Sequence, residues 1–496
     1  MRVLVVGAGL SGLSTAMYLG LHGVQALVVE RHPSTSIYPK ARGQFPHTME
    51  ALRLAGVDQK MVAASPSDQT FKIVIAASAA GPVFKEILVD QLGPDLSALS
   101  TAVWAGCSQE RAEPVLAERA RELGAEIRFA TELVEFQQDD DGVTATLRDL
   151  TTGETSEIRA PYMVAADGHR SPIRAALGIG HHGRGVLGTG TGVVFRADLG
   201  DVIPPNALVY LQNPELPGGG GSLVTTDEPS QYAVSVGLGD HDWLKVIRTA
   251  TGIPDLAAEV VQHGMTSTDI KHSVADRFSD GRVHLVGDAA RVMPPTGGFG
   301  GNSAIMDGFH LAWKLAMVVR GEAGPGLLDS HDPEQRPWSD FIAEQQYTAY
   351  VERMRPDLAD DTLASPVDPV SKLFFGYRCL SDAVILEPDD DRELLENPEE
   401  PTGRPGSRAP HVMVDGKSVV ELFGRGFVVL TGAQQWVDRA TDLGLDAYLV
   451  GDEVTKTYGI GAEGAVLVRP DFVIAWRSMQ GEGDLASTLD RVLSRV

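Results

Sequence analysis

The chain has 496 residues, with 42 Lys and Arg against 67 Asp and Glu, a formal net charge of −25, and 43% apolar content. At roughly 150 residues per domain this allows two to four domains and a large core without disulfides, which excludes disorder, collagen and small disulfide scaffolds. The acidic balance opposes nucleic acid and anionic membranes as partners.

Residues 2–6 (RVLVV) are predicted as a short buried strand. Gly7-Ala8-Gly9-Leu10-Ser11-Gly12 follows, then an apolar-periodic helix over Leu13 to Leu21. Gly23 ends it, and 24–29 (VQALVV) reads as a second strand leading into Glu30. This is one βαβ unit. Strands are expected within 70–105, a helix over 110–123, and strands again over 126–149 with a turn at Asp139-Asp140-Asp141-Gly142. Residues 162–166 and 282–288 read as buried strands, 186–240 as β-rich with a turn at Gly218–Gly221, and 303–320 as a strong helix. The acidic, Pro-rich stretch 386–411 is the predicted linker. Beyond it, 412–496 alternates strands and helices as a small α/β domain. No apolar run reaches the roughly 18 residues of a membrane span, and the apolar N-terminus lacks a small-residue cleavage site. Cys107 and Cys379 are the two cysteines, a usage that suits a reducing compartment. The expected location is cytoplasmic.

Three motifs carry chemistry. In Gly7-x-Gly9-x-x-Gly12, Gly7 permits a tight turn, Gly9 lets the backbone approach a pyrophosphate, and Gly12 allows close helix–strand packing. The helix N-terminus then faces the phosphates, and Leu10 and Ser11 within the motif are expected to hold the cofactor with its glycines. Glu30 stands where a carboxylate accepts from ribose hydroxyls, with Arg31 beside it. The second motif is Gly287-Asp288 after a strand, followed by Pro294-Pro295-Thr296-Gly297-Gly298-Phe299-Gly300-Gly301-Asn302 before the long helix. A helix N-terminus there would stabilise negative charge on a bound group. The third is Asp167-Gly168-His169-Arg170-Ser171 with Arg174. His181-His182 in a strand would point to opposite faces, with no carboxylate cluster, so no metal is expected.

Together these segments resemble the class A FAD-dependent aromatic hydroxylases, over essentially the whole chain. The likeness is greatest to those acting on polycyclic aromatic polyketides of the anthracycline and angucycline type. The resemblance implies an α/β fold: a Rossmann-like FAD-binding domain (1–70, 106–175, 272–385) interleaved with a β-rich substrate domain (71–105, 176–271). A linker (386–411) then leads to a thioredoxin-like domain (412–496). Arg408-Ala409-Pro410-His411 and Leu467-Val468-Arg469-Pro470-Asp471 resemble that last domain, which lacks Cys-x-x-Cys, so no thiol–disulfide activity is expected.

By the same resemblance Asp288 bonds a ribityl hydroxyl, and the Gly-rich turn of Gly298, Gly300, Gly301 and Asn302, with Pro295 at its start, lays backbone N–H groups against the flavin's pyrimidine edge. Arg42 and Gln109 contact the flavin, and Asp167 serves the flavin and a transient nicotinamide. Arg378, in Gly376-Tyr377-Arg378, is expected at the substrate to stabilise a phenolate, with Tyr210 relaying its proton. The chain departs from the family pattern at His47, Arg291 and His310.

The implied reaction uses NADPH or NADH and O2, through a flavin C4a-hydroperoxide, to hydroxylate a polycyclic aromatic polyketide. The absence of a second Gly-x-Gly-x-x-Gly agrees with a nicotinamide that binds only transiently. Baeyer–Villiger oxygenation, inactivation of an aromatic antibiotic, and a non-catalytic flavin-binding partner subunit are the alternatives. A halogenase is disfavoured, since no two of the six tryptophans are two apart. The chain is expected to be a monomer or a homodimer.

Overall fold

The structure is a computed structural model that describes residues 2–37, 40–66, 71–89, 94–204, 206–414 and 416–495. Its first layer is a six-stranded sheet in the order Ser279–Asp280, Val283–Leu285, Met163–Ala165, Arg2–Val6, Gln25–Val29, Glu126–Arg128. All neighbours are parallel except the edge hairpin. Strands covered on both faces need continuous apolar runs, and Val3, Leu4 and Val5 are fully buried. The helix Leu10–Leu21 starts three residues earlier than its apolar period suggests, directly behind Gly9. It crosses the helix Phe299–Val319 closely: a Cβ on Gly308 would lie 2.5 Å from Ser14 Oγ, and Tyr18 meets Phe309 at 5.1 Å between ring centres.

Ligands of open α/β sheets gather at the carboxyl ends of the strands. Here four strands deliver Gly7, Glu30, Asp167 and Gly287-Asp288 to that one edge.

The second layer is an eight-stranded sheet, ordered Arg291–Val292, Ala258–Ala275, His181–Ala197, Gln231–Gly237, Gly220–Thr225, Ala207–Gln212, Phe71–Ala76, Val83–Val89. It is antiparallel apart from the parallel pair Ala207–Gln212 and Phe71–Ala76. Residues two apart share a face, and Leu208 and Tyr210 both line one cavity. Of the expected 70–105 strand region, 94–104 is irregular and 90–93 lies outside the described residues.

The C-terminal unit has a four-stranded sheet, ordered Asp446–Leu449, Val428–Thr431, Ala465–Val468, Ile474–Ser478, with one parallel pair and antiparallel neighbours. The hairpin between its last two strands ends in a tip whose Arg469, Asp471 and Phe472 are buried. Phe472 packs on Phe309 at 5.2 Å.

The stretch 386–411 is a packed strap rather than a loose linker. Leu395 bridges Tyr377, Glu396 accepts from Thr402 N at 2.9 Å, and Arg408 pairs with Glu50. Glu387 pairs with Arg477, Asp390 and Asp391 with Arg378, and Glu396 with Arg404, which the composition alone could not reveal. The other acidic run is a simple turn, with Asp139 Oδ1 accepting from Asp141 N at 2.9 Å and Gly142 N at 3.0 Å.

Two buried imidazoles make the fold acid-sensitive. Burial, then Arg320, pushes His22 down to about 4; burial, then His331 and Lys314, pushes His284 down to about 3. The unfolded chain binds their protons near pH 6.5, so stability is full above that and is lost as pH falls. The loss is about 1.4 kcal/mol per pH unit for each, or about 4 kcal/mol for both between pH 6.5 and 5. Denaturant melts at these two pH values should resolve it, and replacing both histidines with Gln should flatten the dependence.

Candidate active site

One large cavity, about 2170 Å³, runs from the Gly7 turn to the eight-stranded sheet. Sites for a single small ligand span about 300–1,000 Å³, so this one has room for a dinucleotide and a second molecule. Of the sixteen residues expected to hold the cofactor, fourteen line it; Gly12 and Asn302 do not.

The glycines divide as their spacing predicts. Gly7 has φ +108°, and a Cβ there would lie 2.2 Å from Ala166 O. A Cβ on Gly12 would lie 1.9 Å from Gly7 O, so this glycine seats the helix against the turn. On Gly9 the nearest atom to a Cβ would be Glu113 Oε1, at 3.8 Å. That open face beside a helix N-terminus fits a pyrophosphate. Gly12→Ala should therefore give protein that does not fold or carries no flavin, read from the flavin-to-protein absorbance ratio of purified material.

Glu30 fastens this end. Its Oε2 accepts from Ala8 N at 2.8 Å and its Oε1 from His32 N at 2.9 Å. Oε1 also meets His32 Nδ1 at 2.5 Å, which leaves Oε2 a lone pair for a ribose hydroxyl, and Arg31 lines the cavity beside it.

Across the cavity, Asp288 is exposed to the cavity interior rather than to bulk water. This withdrawal from solvent holds its carboxyl above the usual range, against the pull of His169, Arg291 and Lys40. Asp167 lies next to it and shapes its own turn, accepting from Ser171 Oγ at 2.7 Å and Ile173 N at 3.0 Å. Arg174 ties the two turns together by donating to Ala289 O at 2.7 Å.

Gly298, at φ +77°, begins the helix Phe299–Val319, so Gly300 and Gly301 lie in its first turn, where backbone N–H groups have no helical partner. A Cβ on Gly300 would meet nothing within 4 Å, leaving that face open for a flat ring edge. Asn302 departs from expectation. Its side chain is a staple that accepts from Phe45 N at 2.8 Å and donates to Gly43 O and Gly298 O at 3.0 and 2.9 Å. It fixes the walls and does not face the cavity. Arg42 lines the cavity and pairs with Asp227 at 2.5 Å.

Arg378 requires a correction. It is fully buried outside the cavity, with Nη2 2.5 Å from Asp390 and Nη1 3.3 Å from Asp391, and Nη2 donates to Pro405 O at 3.0 Å. It anchors the 386–411 strap. Arg378→Ala should lower stability by about 3 kcal/mol while turnover per bound flavin stays near wild type; a selective loss of turnover would restore it to the substrate.

Tyr210 is buried on the strand Ala207–Gln212 and lines the cavity. Burial raises its hydroxyl, and the adjoining guanidinium of Arg353 pulls the other way. Arg353, near the end of the helix His331–Met354, also lines the cavity and donates to Thr296 O of the Gly-rich segment. It places a guanidinium on the cavity wall, where Arg378 does not reach. The wall between is aromatic: Trp104 and Phe374 meet edge-on at 5.3 Å, each packed on Phe45.

Sequence reasoning missed three further groups. Glu113 accepts from Gln109 Nε2 at 2.7 Å and Ser36 N at 2.6 Å, orienting Gln109, and burial pushes its carboxyl up. Asp307 forks to Arg291 at 2.8 and 2.9 Å and accepts from Gly287 N at 2.6 Å. Arg353 itself had no local signal, since its neighbours arrive from distant segments. The departure at Arg291 is thereby explained: it braces the turn that carries Asp288. The donor set, the open glycine faces and the cavity's length fit FAD. No cluster of metal-binding side chains occurs among the described residues, where His182 instead bonds Asp276 and Asp340, each at 2.8 Å. No helix among these residues is long and apolar enough to cross a membrane.

Comparison with known proteins defines the class. Residues 1–346 match the FAD binding domain family, and residues 402–496 match the aromatic-ring hydroxylase C-terminal family. The chain is 40% identical over 533 residues to an aklavinone 12-hydroxylase of Streptomyces purpurascens, covering 100% of this chain and 98% of that protein. It is 37% identical over 541 residues to a tetracenomycin B2 monooxygenase-dioxygenase of Streptomyces olivaceus, at 100% and 98% coverage. Among solved structures, a ternary complex of aklavinone-11 hydroxylase with FAD and aklavinone superposes with a TM-score of 0.92 at 39% identity, covering 100% of this chain and 99% of that one. The chain belongs to the FAD-dependent aromatic-ring hydroxylases.

Proposed function

We propose that this enzyme hydroxylates a polycyclic aromatic polyketide, using NAD(P)H and O2, with Tyr210 and Arg353 as its substrate-side groups. The observation that carries this reading is the make-up of the cavity wall. Phe45, Trp104 and Phe374 line the same cavity as the phenol–guanidinium pair of Tyr210 and Arg353. Such a surface suits a planar, fused-ring phenol, and the named substrates of the relatives support the same class.

When bound, FAD supplies the activation of dioxygen. The chain's own residues do the rest. Arg353 offers positive charge to a substrate phenolate, which makes the ring a better nucleophile. Tyr210 is placed to pass the phenolic proton. The aromatic wall orients the ring and excludes water, while Glu30, Asp288, Gln109 and the helix starts hold the cofactor. By this reading the parallel-sheet segments (1–70, 106–175, 272–385) bind the flavin and the eight-stranded sheet binds substrate. We infer a cytoplasmic enzyme, monomeric or homodimeric, with neither nucleic acid nor membrane as a partner, in keeping with its charge of −25.

The test is incubation of the purified protein with FAD, NADPH and isotopically labelled O2 over a panel of polycyclic phenols and quinones. One labelled oxygen on an aromatic carbon is the expected result. A labelled ester oxygen in an expanded ring would replace this reading with Baeyer–Villiger oxygenation. Bound flavin with no substrate-stimulated NADPH oxidation would favour a partner subunit.

A further inference from the structure

Beside the Gly-rich segment lies a second, small chamber of about 70 Å³. It is lined by the helices Pro46–Leu54, Phe299–Val319 and His331–Met354, by Arg291, by the segment 373–379, and by Arg408, Asp471 and Val473. Three of its lining residues carry a buried polar atom with no hydrogen-bond partner among the described residues: Arg291 Nε, Gln335 Nε2 and Tyr377 Oη. Arg291 and Gln335 are each only 4% exposed.

All three groups can donate, so the occupant must accept. Charges in the wall are already matched: Arg291 with Asp307, Arg408 with Glu50, and Asp471 with Arg469. An anion would face Asp307 and Asp471 with no cation left over. A neutral acceptor fits, and a water needs only about 10–15 Å³ of such space and two to four polar partners.

We propose that the chamber holds a fixed water cluster, bonded to Arg291, Gln335 and Tyr377, that makes Arg291 a positioning residue for the flavin. Through its Nη atoms Arg291 holds Asp307, which holds Gly287 N at 2.6 Å and so aims the neighbouring Asp288. Arg291 also lines the large cavity, so one side chain joins the hydrated chamber to the flavin site. The C-terminal unit closes the chamber and thereby acts on flavin binding without touching the flavin.

The test has two parts. A high-resolution crystal structure of the FAD-loaded enzyme should contain ordered waters within hydrogen-bond distance of all three atoms. A dry chamber, a bound chloride, or the three side chains paired with protein groups would overturn the proposal. Tyr377→Phe and Gln335→Met should each raise the FAD dissociation constant several-fold, measured by flavin fluorescence well below the unfolding temperature, with substrate KM unchanged. Wild-type FAD affinity in both variants would overturn the positioning role even if the waters are present.

Discussion

Arg353→Met is expected to lower kcat by about 10²- to 10³-fold, the usual cost of removing a charge that meets developing negative charge in a dry site, while the protein keeps its FAD. Arg353 is the cation beside Tyr210 at the aromatic end of the cavity. Without it a substrate phenolate loses its counter-charge. Arg353→Lys should recover part of the rate, because a point charge returns without the planar fork. The deficit of the Met variant should shrink as pH rises through the free phenol's pKa, since the substrate then arrives already ionised. Steady-state kinetics against pH, with flavin content measured in parallel, check this. Arg353 also holds Thr296 O. Equal loss of flavin and turnover, with no pH dependence, would make it a structural tie and remove it from the chemistry.

Arg469→Met should cost about 3–5 kcal/mol, because it strands buried carboxylates. Arg469 donates to Glu334 at 2.6 and 3.0 Å and to Asp471 at 2.9 and 2.6 Å. Lys314 reaches Glu334 at 2.5 Å and His310 reaches Asp471 at 3.1 Å. All these side chains are buried, so each needs its counter-charge in place. Against a total stability of about 5–15 kcal/mol, this loss should be evident in denaturant melts. Arg469 and Lys314 hold the Glu334 carboxyl well below the usual carboxylate range despite its burial. Its contribution is therefore present above the unfolded value near pH 4 and is lost below it. If the variant melts like wild type, the hairpin tip does not fasten the C-terminal unit to the helices Phe299–Val319 and His331–Met354.

The network also accounts for the departure at His310. That histidine lies 3.1 Å from Asp471 of the C-terminal tip, so it serves the junction between units and not the flavin face. His47 lines the second chamber beside it, and burial, then Arg408, holds its imidazole well below the ordinary value. Both positions were read in the sequence as departures from the family pattern. Their environment comes from the C-terminal unit, more than 150 residues away in the chain for His310.

What the sequence determined by itself was the cofactor half. Backbone sterics and helix ends act locally, so Gly7, Gly9 and Gly12 announced a turn, an approach and a contact, and each is found in that geometry. Gly287-Asp288 and the Gly298–Gly301 run were legible for the same reason: their chemistry is carried by short, contiguous backbone. The substrate half was not. Arg378 closes the Gly376-Tyr377-Arg378 motif and Arg353 belongs to none, so nothing local pointed to the second. Only folding sends the first into Asp390 and Asp391 and the second to Tyr210. Asp307, Glu113 and the packing of 386–411 were likewise decided in three dimensions, because a buried charge is defined by the partner that folding brings to it and not by its own residue type.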